Sequence, residues 1–138
     1  MKYVLENPIK GTIGIEKYKT AIHWRNGILL TDEPEKLGGK DLGPDPYTLL
    51  LSSLVSCKLA TLKMYIDLKG LSISEIEIEA NMFQRIEKEE AVMLIHCKVH
   101  FSTVQDLEVR QRLMRIAENC PISKILKGNI SIVTDFVE

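Results

Sequence analysis

The sequence lacks a dominant charge. Its 18 basic and 19 acidic residues leave a formal net charge of -1, so no long-range field attracts nucleic acid, an anionic membrane or a strongly charged substrate. It also lacks an uncharged apolar run of about 18 residues, because the most apolar region, residues 49–68, contains Lys58, Lys63 and Asp67. The first residues show no secretory signal. We therefore expect a cytoplasmic protein with neither a nucleic-acid nor a membrane partner.

Cysteine is scarce as well. The three cysteines, Cys57, Cys97 and Cys120, are too few and odd in number for a disulfide framework, and in a reducing compartment they are expected to be buried or reactive thiols. His96 and His100 share one face of a predicted strand, but four strand residues separate them by about 13 Å, too far to chelate one metal. We expect no metal and no other cofactor.

What the sequence does contain suits one domain over residues 1–138, since 45% of the residues are hydrophobic and the length supports one core. The Asn26-Gly27 dipeptide predicts a type I′ hairpin turn, with strand residues from Thr20 to Trp24 before it and Ile28 to Leu30 after it. Residues 31–45 are rich in glycine, proline and acids, which predicts an exposed irregular loop of the kind that often carries function.

A long helix is predicted next. Asp45-Pro46 offers an N-cap and a proline at the first helical position, and Lys69-Gly70 offers a cation and a terminating glycine. The first half of this helix, residues 49–57, is apolar or small on every side. Such a helix is expected to lie inside a core or a dimer interface.

In the second half of the chain, apolar and polar residues first alternate as in strands, and the apolar residues then recur at helical spacing. Strands are predicted over Ile73–Gln84 and Val92–Ser102, with Glu87–Glu90 as their turn. Helical segments are predicted over Asp106–Asn119 and Pro121–Lys127, and a final strand over Ile130–Val137. Hairpins separated by helices indicate an α+β fold with antiparallel sheets.

The residues around each cysteine give different expectations. Cys97 lies between Ile95 and Val99 on the apolar side of its strand, where a thiol behaves as a small hydrophobic group. Cys57 lies in the apolar helix and, taken alone, suits the core. Cys120 precedes Pro121 at a helix start, where backbone N–H groups and the helix dipole favour the thiolate, although a plain corner between helices would explain it equally.

Three blocks of the sequence resemble the OsmC/Ohr family of organic hydroperoxide reductases. The first runs from Gly43-Pro44-Asp45-Pro46 through Leu49-Leu50 to Ser56-Cys57, the second from Met64-Tyr65 to Lys69-Gly70, and the third from Cys120-Pro121 to Lys127. The resemblance implies an intertwined homodimer of α+β chains, with long central helices that carry Cys57 and an active site at the dimer interface.

The resemblance also implies a reaction. The Cys57 thiolate would attack the peroxide and become a sulfenic acid, and Cys120 would resolve it as a disulfide. Arg25, in the Arg25-Asn26-Gly27 turn, matches the family arginine that stabilises the thiolate and binds the peroxide. The family glutamate that orients this arginine is replaced by Tyr47. Glu33, Glu35 or Asp41 on the preceding loop could supply the carboxylate in its place, whereas Asp45, the closest acid, is expected to cap the helix.

An apolar pocket is expected beside Cys57, which would favour organic hydroperoxides over hydrogen peroxide by desolvation. Its expected lining is Trp24, Leu54, Met64 and Tyr65. The reductant is expected to be a dithiol, either a lipoyl group or a thioredoxin-like protein.

Two other functions stay open at this point. Asn119-Cys120-Pro121 also resembles cysteines that carry a persulfide in sulfur relay, in which case Cys57 would be dispensable. Tyr47 in place of glutamate equally suits a dimeric small-molecule-binding protein that keeps the fold without the chemistry.

Overall fold

The computed structural model describes residues 2–104 and 106–138. It contains two compact units, residues 1–50 and 51–138. In the described residues, two antiparallel sheets and three α-helices form the mixed α+β architecture that the sequence predicts. The assignment of residues 1–138 to one domain stays a prediction.

The first unit contains a three-stranded antiparallel sheet of β1 (Lys10–Ile13), β2 (Thr20–Trp24) and β3 (Gly27–Thr31), in that spatial order. Trp24 pairs with Gly27, so the two turn residues are Arg25 and Asn26. The prediction of a type I′ turn at Asn26-Gly27 is therefore wrong. Gly27 already belongs to the ladder, and neither Asn26 nor Gly27 has the positive φ that such a turn requires.

The segment after β3 is more ordered than predicted, because it is organised around the carboxylate of Asp32. That side chain is 2% exposed and accepts backbone N–H groups from Tyr18, Glu33, Lys40 and Leu42 at 2.8 to 3.3 Å. A short 3-10 helix, Glu35–Leu37, follows. The predicted exposure is correct for residues 35–38 and 40–42 but wrong at Asp32 and Gly39, which are buried, because the buried acid collects backbone donors that a free loop would leave to water.

Helix α1 runs from Pro46 to Lys69, as predicted. Asp45 caps it, because its Oδ1 accepts the Thr48 N–H at 3.0 Å, and Gly70 ends it in the left-handed conformation with φ 64. The four buried residues, Leu54, Lys58, Leu62 and Ile66, recur every fourth position and so share one side of the helix. By length and composition the helix could also cross a membrane, a property that core helices of folded domains share.

The second unit is built on a long antiparallel hairpin of β4 (Ile76–Glu87) and β5 (Glu90–Phe101). Its two turn residues, Lys88 and Glu89, both have positive φ, and the predicted turn at Glu87–Glu90 is confirmed. Helices α2 (Leu107–Glu118) and α3 (Pro121–Lys127) follow. The buried core joins the elements, with Leu62 and Ile66 from α1, Phe101 from β5, and Leu113 and Ala117 from α2.

The last ten residues contain no strand, so the predicted strand at Ile130–Val137 is wrong for the single chain. All of them are exposed, and Ile132 is 84% exposed. A strand forms only where a neighbouring strand accepts its ladder hydrogen bonds, and the segment has the alternating pattern without that neighbour.

Candidate functional site

Cys57 lies near the middle of α1, one residue before the buried Lys58. Its thiol is half-buried, and its Sγ accepts the backbone N–H of Ile122 at 3.4 Å. Ile122 belongs to the first turn of α3, where backbone N–H groups have no partner within the helix. The central helix therefore presents Cys57 to the start of a second helix that is 65 residues away in sequence.

Cys120 is the N-cap of α3, and Pro121 follows at the first helical position. Cys120 is fully buried, with 0% exposure, and its Sγ accepts the Ser123 N–H at 3.4 Å. The connection between α2 and α3 is a single residue beyond Asn119, the C-cap of α2. This tight corner fixes the thiol in the protein interior.

Both sulfurs accept backbone N–H groups from the same helix turn, and Cys57 lies close enough to influence the Cys120 thiol. Burial is the largest influence on the Cys120 thiol and raises its pKa. The Ser123 N–H lowers the pKa, Cys57 raises it through its hydrogen bond and charge, and Lys58 lowers it. The backbone donor at the helix start favours the Cys120 thiolate, as predicted, but desolvation outweighs it and the net pKa is raised.

Lys58 is a residue of the site that the sequence analysis missed. Its side chain is only 5% exposed, and its Nζ donates to the carbonyl oxygen of Ala117 at 2.9 Å, in the last turn of α2. Lysine is almost never fully buried unless it is paired. A cation adjacent to Cys57 in an otherwise apolar helical stretch was the signal in the sequence that could have identified it.

Cys97 lies on β5 opposite Ala80, on the side predicted. It lines a cavity of about 340 Å³, together with Leu54, Lys58, Met93, Ile95, His96, Glu118, Ser123, Leu126 and Lys127. Burial, the largest influence, raises the pKa of the Cys97 thiol, Lys58 lowers it and Glu118 raises it, with a raised pKa as the result. A protonated thiol at this position suits the expected role of a small hydrophobic group.

The residues predicted to line a pocket beside Cys57 lie in different environments. Leu54 is buried and lines the cavity that contains Cys97. Tyr65 packs against the core of the second unit, whereas Met64 is 72% exposed. Their assignment to a substrate pocket stays a prediction.

Arg25 and Trp24 lie in the first unit, in the turn and at the end of β2. The Arg25 guanidinium carbon lies 5.4 Å from the centroid of the Trp24 ring, a cation–π distance. Tyr47, at the position of the expected glutamate, is exposed in the first turn of α1. Asp45 serves as the helix cap, and hydrogen bonds from Thr48 hold the pKa of its carboxyl below the usual value.

No group of three or more His, Cys, Asp or Glu side chains suited to a metal ion occurs within residues 2–104 and 106–138. What the site does contain is two adjacent thiols and one buried ammonium group. Two neighbouring thiols are the requirement for a cycle between dithiol and disulfide.

Comparisons with known proteins concern the family and the fold. A family model described as OsmC-like protein matches residues 38–135. Among solved structures, an organic hydroperoxide resistance protein from Elizabethkingia anophelis is 22% identical with a TM-score of 0.69, covering 94% of this chain and 93% of its own. An organic hydroperoxide resistance protein OsmC from Legionella pneumophila is 18% identical with a TM-score of 0.67, covering 93% of each chain.

The organic hydroperoxide resistance protein OhrB of Bacillus subtilis is 20% identical with a TM-score of 0.64, covering 92% of this chain and 94% of its own. At these identities the likeness to solved structures shows a shared fold. No curated protein matches the sequence.

Proposed function

Because this chain belongs to the OsmC-like family, whose model matches residues 38–135, we propose that it is a thiol-dependent peroxidase that reduces organic hydroperoxides. Structural neighbours named as organic hydroperoxide resistance proteins support a peroxide-related role. The observation that carries the proposal is the convergence of Cys57 and Cys120 on the first turn of α3. That arrangement supports a role in oxidative stress defence.

In the proposed cycle the half-buried Cys57 is the attacking thiol and the fully buried Cys120 the resolving one. The Cys57 thiolate attacks the outer oxygen of the hydroperoxide, the O–O bond breaks, and the alkoxide leaves and takes up a proton to become an alcohol. The Cys120 thiolate then attacks the sulfenic sulfur of Cys57, forms the disulfide and expels hydroxide, which becomes water. A dithiol reductant returns both thiols by thiol–disulfide exchange and is itself oxidised to a disulfide.

Arg25 is proposed to stabilise the Cys57 thiolate and to bind the peroxide. A guanidinium presents several N–H donors in a fixed planar arrangement, which suits this role. Trp24, its stacking partner, is proposed to line the pocket together with Leu54, Met64 and Tyr65. Tyr47 cannot supply the carboxylate that orients the arginine in relatives of this type. We expect the rate with peroxide to depend on how well stacking on Trp24 replaces that carboxylate.

The working form is proposed to be a homodimer in the cytoplasm. Exposed apolar side chains along the C-terminal segment, among them Ile132 and Phe136, support association with a second copy. The reductant is proposed to be a lipoyl group or a thioredoxin-like protein. A reducing compartment would keep all three cysteines as thiols between turnovers.

The proposal is tested by following consumption of cumene hydroperoxide with dihydrolipoamide as reductant. We expect Cys57→Ser to abolish turnover and Cys120→Ser to reduce it by at least tenfold. Cys97→Ser is the matched control and should keep turnover within about twofold. Unchanged turnover in Cys57→Ser would contradict the proposal, and full activity that needs only Cys120 would favour the sulfur-relay alternative. Absence of any turnover in the parent protein would favour the binding protein.

A further inference from the structure

The buried ammonium of Lys58 has no carboxylate partner among residues 2–104 and 106–138. The ion pairs found there join Lys63 to Asp67, Arg85 to Glu87 and Lys127 to Glu118. Glu118, next to Ala117 in sequence, lines the same cavity as Lys58, but its carboxylate is hydrogen-bonded to Lys127 at 2.8 Å and not to Lys58. That hydrogen bond lowers the pKa of the Glu118 carboxyl most, and the charge of Lys58 also lowers it. A buried cation with no directly bonded counter-charge is disfavoured, so it matters for function which neighbouring group carries the negative charge.

Few groups around Lys58 can carry the negative charge that would balance its ammonium. The Ala117 carbonyl belongs to the last turn of α2, where the helix dipole is negative and favours a cation. That carbonyl accepts only one of the three ammonium N–H groups. The titratable and charged side chains near Lys58 are Cys57 on α1, His96 and Cys97 on β5, Glu118 on α2, Cys120 at the α2–α3 corner and Lys127 on α3.

Cys120 is the member of this set that must ionise for the proposed cycle to close. It is fully buried, and burial raises its pKa, so without compensation the resolving thiol would stay protonated and unreactive. Lys58 acts in the opposite direction on Cys120 and on Cys97. In surroundings of low dielectric constant, the attraction between an ammonium and a thiolate is much stronger than in water.

We propose that Lys58 is the buried counter-cation of the thiol pair, which stabilises Cys120 as the thiolate that resolves the Cys57 sulfenic acid. Lys58 is a positioning residue in this role, since its charge acts through Cys120 and not on the peroxide. Its bond to Ala117 anchors the ammonium to α2, three residues before Cys120. The place of this step in turnover rests on the proposed peroxidase function, whereas the ionisation of Cys120 does not.

The ionisation is measured without peroxide. In a Cys57→Ser, Cys97→Ser background Cys120 is the one remaining cysteine of the sequence, and its titration is followed by ultraviolet thiolate absorbance. Lys58→Gln keeps an N–H donor for Ala117 but removes the charge. We expect it to raise the titration midpoint by about one pH unit, equivalent to a tenfold smaller thiolate fraction below the midpoint.

Three further variants separate charge from structure. Lys58→Met should raise the midpoint as Lys58→Gln does, and Lys58→Arg should keep it near the parent value. Lys63→Gln changes an exposed lysine of the same helix and should leave the midpoint unchanged. Equal midpoints in the parent and Lys58→Gln would overturn the proposal, as would loss of thermal stability in that variant without a shift in midpoint.

The consequence for turnover is measured in the protein with all three cysteines. After one equivalent of cumene hydroperoxide, Lys58→Gln should form the Cys57 sulfenic acid, trapped by a dimedone-type probe, and convert it to the disulfide about tenfold more slowly at pH 7. An unchanged rate of conversion would overturn the role of Lys58. If the parent forms no sulfenic acid, the peroxidase proposal fails, and the Cys120 titration still decides whether Lys58 supports the thiolate.

Discussion

At the level of single residues, one carboxylate and one thiol show how buried polar groups are stabilised in this protein. Asp32 and Cys120 both accept backbone N–H groups. The carboxylate of Asp32 collects four donors, whereas the Cys120 sulfur accepts one from Ser123 and lies beside a second thiol. Burial opposes ionisation of both groups. Four donors outweigh it for Asp32, and one donor does not for Cys120.

Asp32→Asn tests this balance. Burial raises the pKa of the Asp32 carboxyl, but the four N–H groups outweigh burial and leave the pKa below its usual value. The stabilisation is therefore complete above the ordinary aspartate pKa of about 3.9 and is lost as pH falls through the lower native value. We expect Asp32→Asn to unfold at a lower temperature than the parent at pH 7, and the two to converge in acid.

The measurement is the thermal unfolding midpoint by circular dichroism between about pH 2 and pH 7. Asp135→Asn, at an exposed position of the C-terminal segment, is the matched control and should follow the parent throughout. A difference between parent and Asp32→Asn that is as large in acid as at neutral pH would show that the side chain's shape, and not its charge, stabilises the segment.

At the level of elements, the parts of the fold that were predicted are those whose signals are local. Asp45-Pro46 and Lys69-Gly70 define both ends of α1, and the structure has it at Pro46–Lys69. The prediction of a type I′ turn at Asn26-Gly27 was wrong because the pairing of Trp24 with Gly27 depends on the register of the whole sheet. The burial of Lys58 was not predicted because its carbonyl partner, Ala117, is 59 residues away.

In the C-terminal segment, residues 129–138, apolar and polar residues alternate as in a strand. In the single chain the segment forms no strand. If a second copy supplies the neighbouring strand, Ile132→Asp should weaken the homodimer by at least tenfold, because a charge would replace an apolar contact. Ser131→Asp, which changes the other face of the same segment, is the control and should weaken it less.

Sedimentation velocity over a range of protein concentrations measures this effect, with circular dichroism to check that the folded state is retained. A monomeric parent protein would contradict the proposed dimer. Equal dissociation constants for the parent and Ile132→Asp would place the dimer contact elsewhere on the surface.

At the level of the whole molecule, the architecture brings together thiols that are distant in sequence. Cys57 belongs to the central helix and Cys120 to the corner between α2 and α3, and the core formed by Leu62, Ile66 and Leu113 holds these helices against the hairpin. Family membership supports a peroxide-related role. In the proposed cycle the two thiols carry that role, and Lys58 places a buried positive charge near them.

The pairing of Cys57 with Cys120 is tested most directly by mass spectrometry of the protein after one equivalent of cumene hydroperoxide, alkylation and digestion without reductant. The account predicts an intramolecular disulfide between the Cys57 and Cys120 peptides, with Cys97 alkylated. Recovery of Cys57 and Cys120 as alkylated thiols, or a disulfide that joins either of them to Cys97, would contradict it.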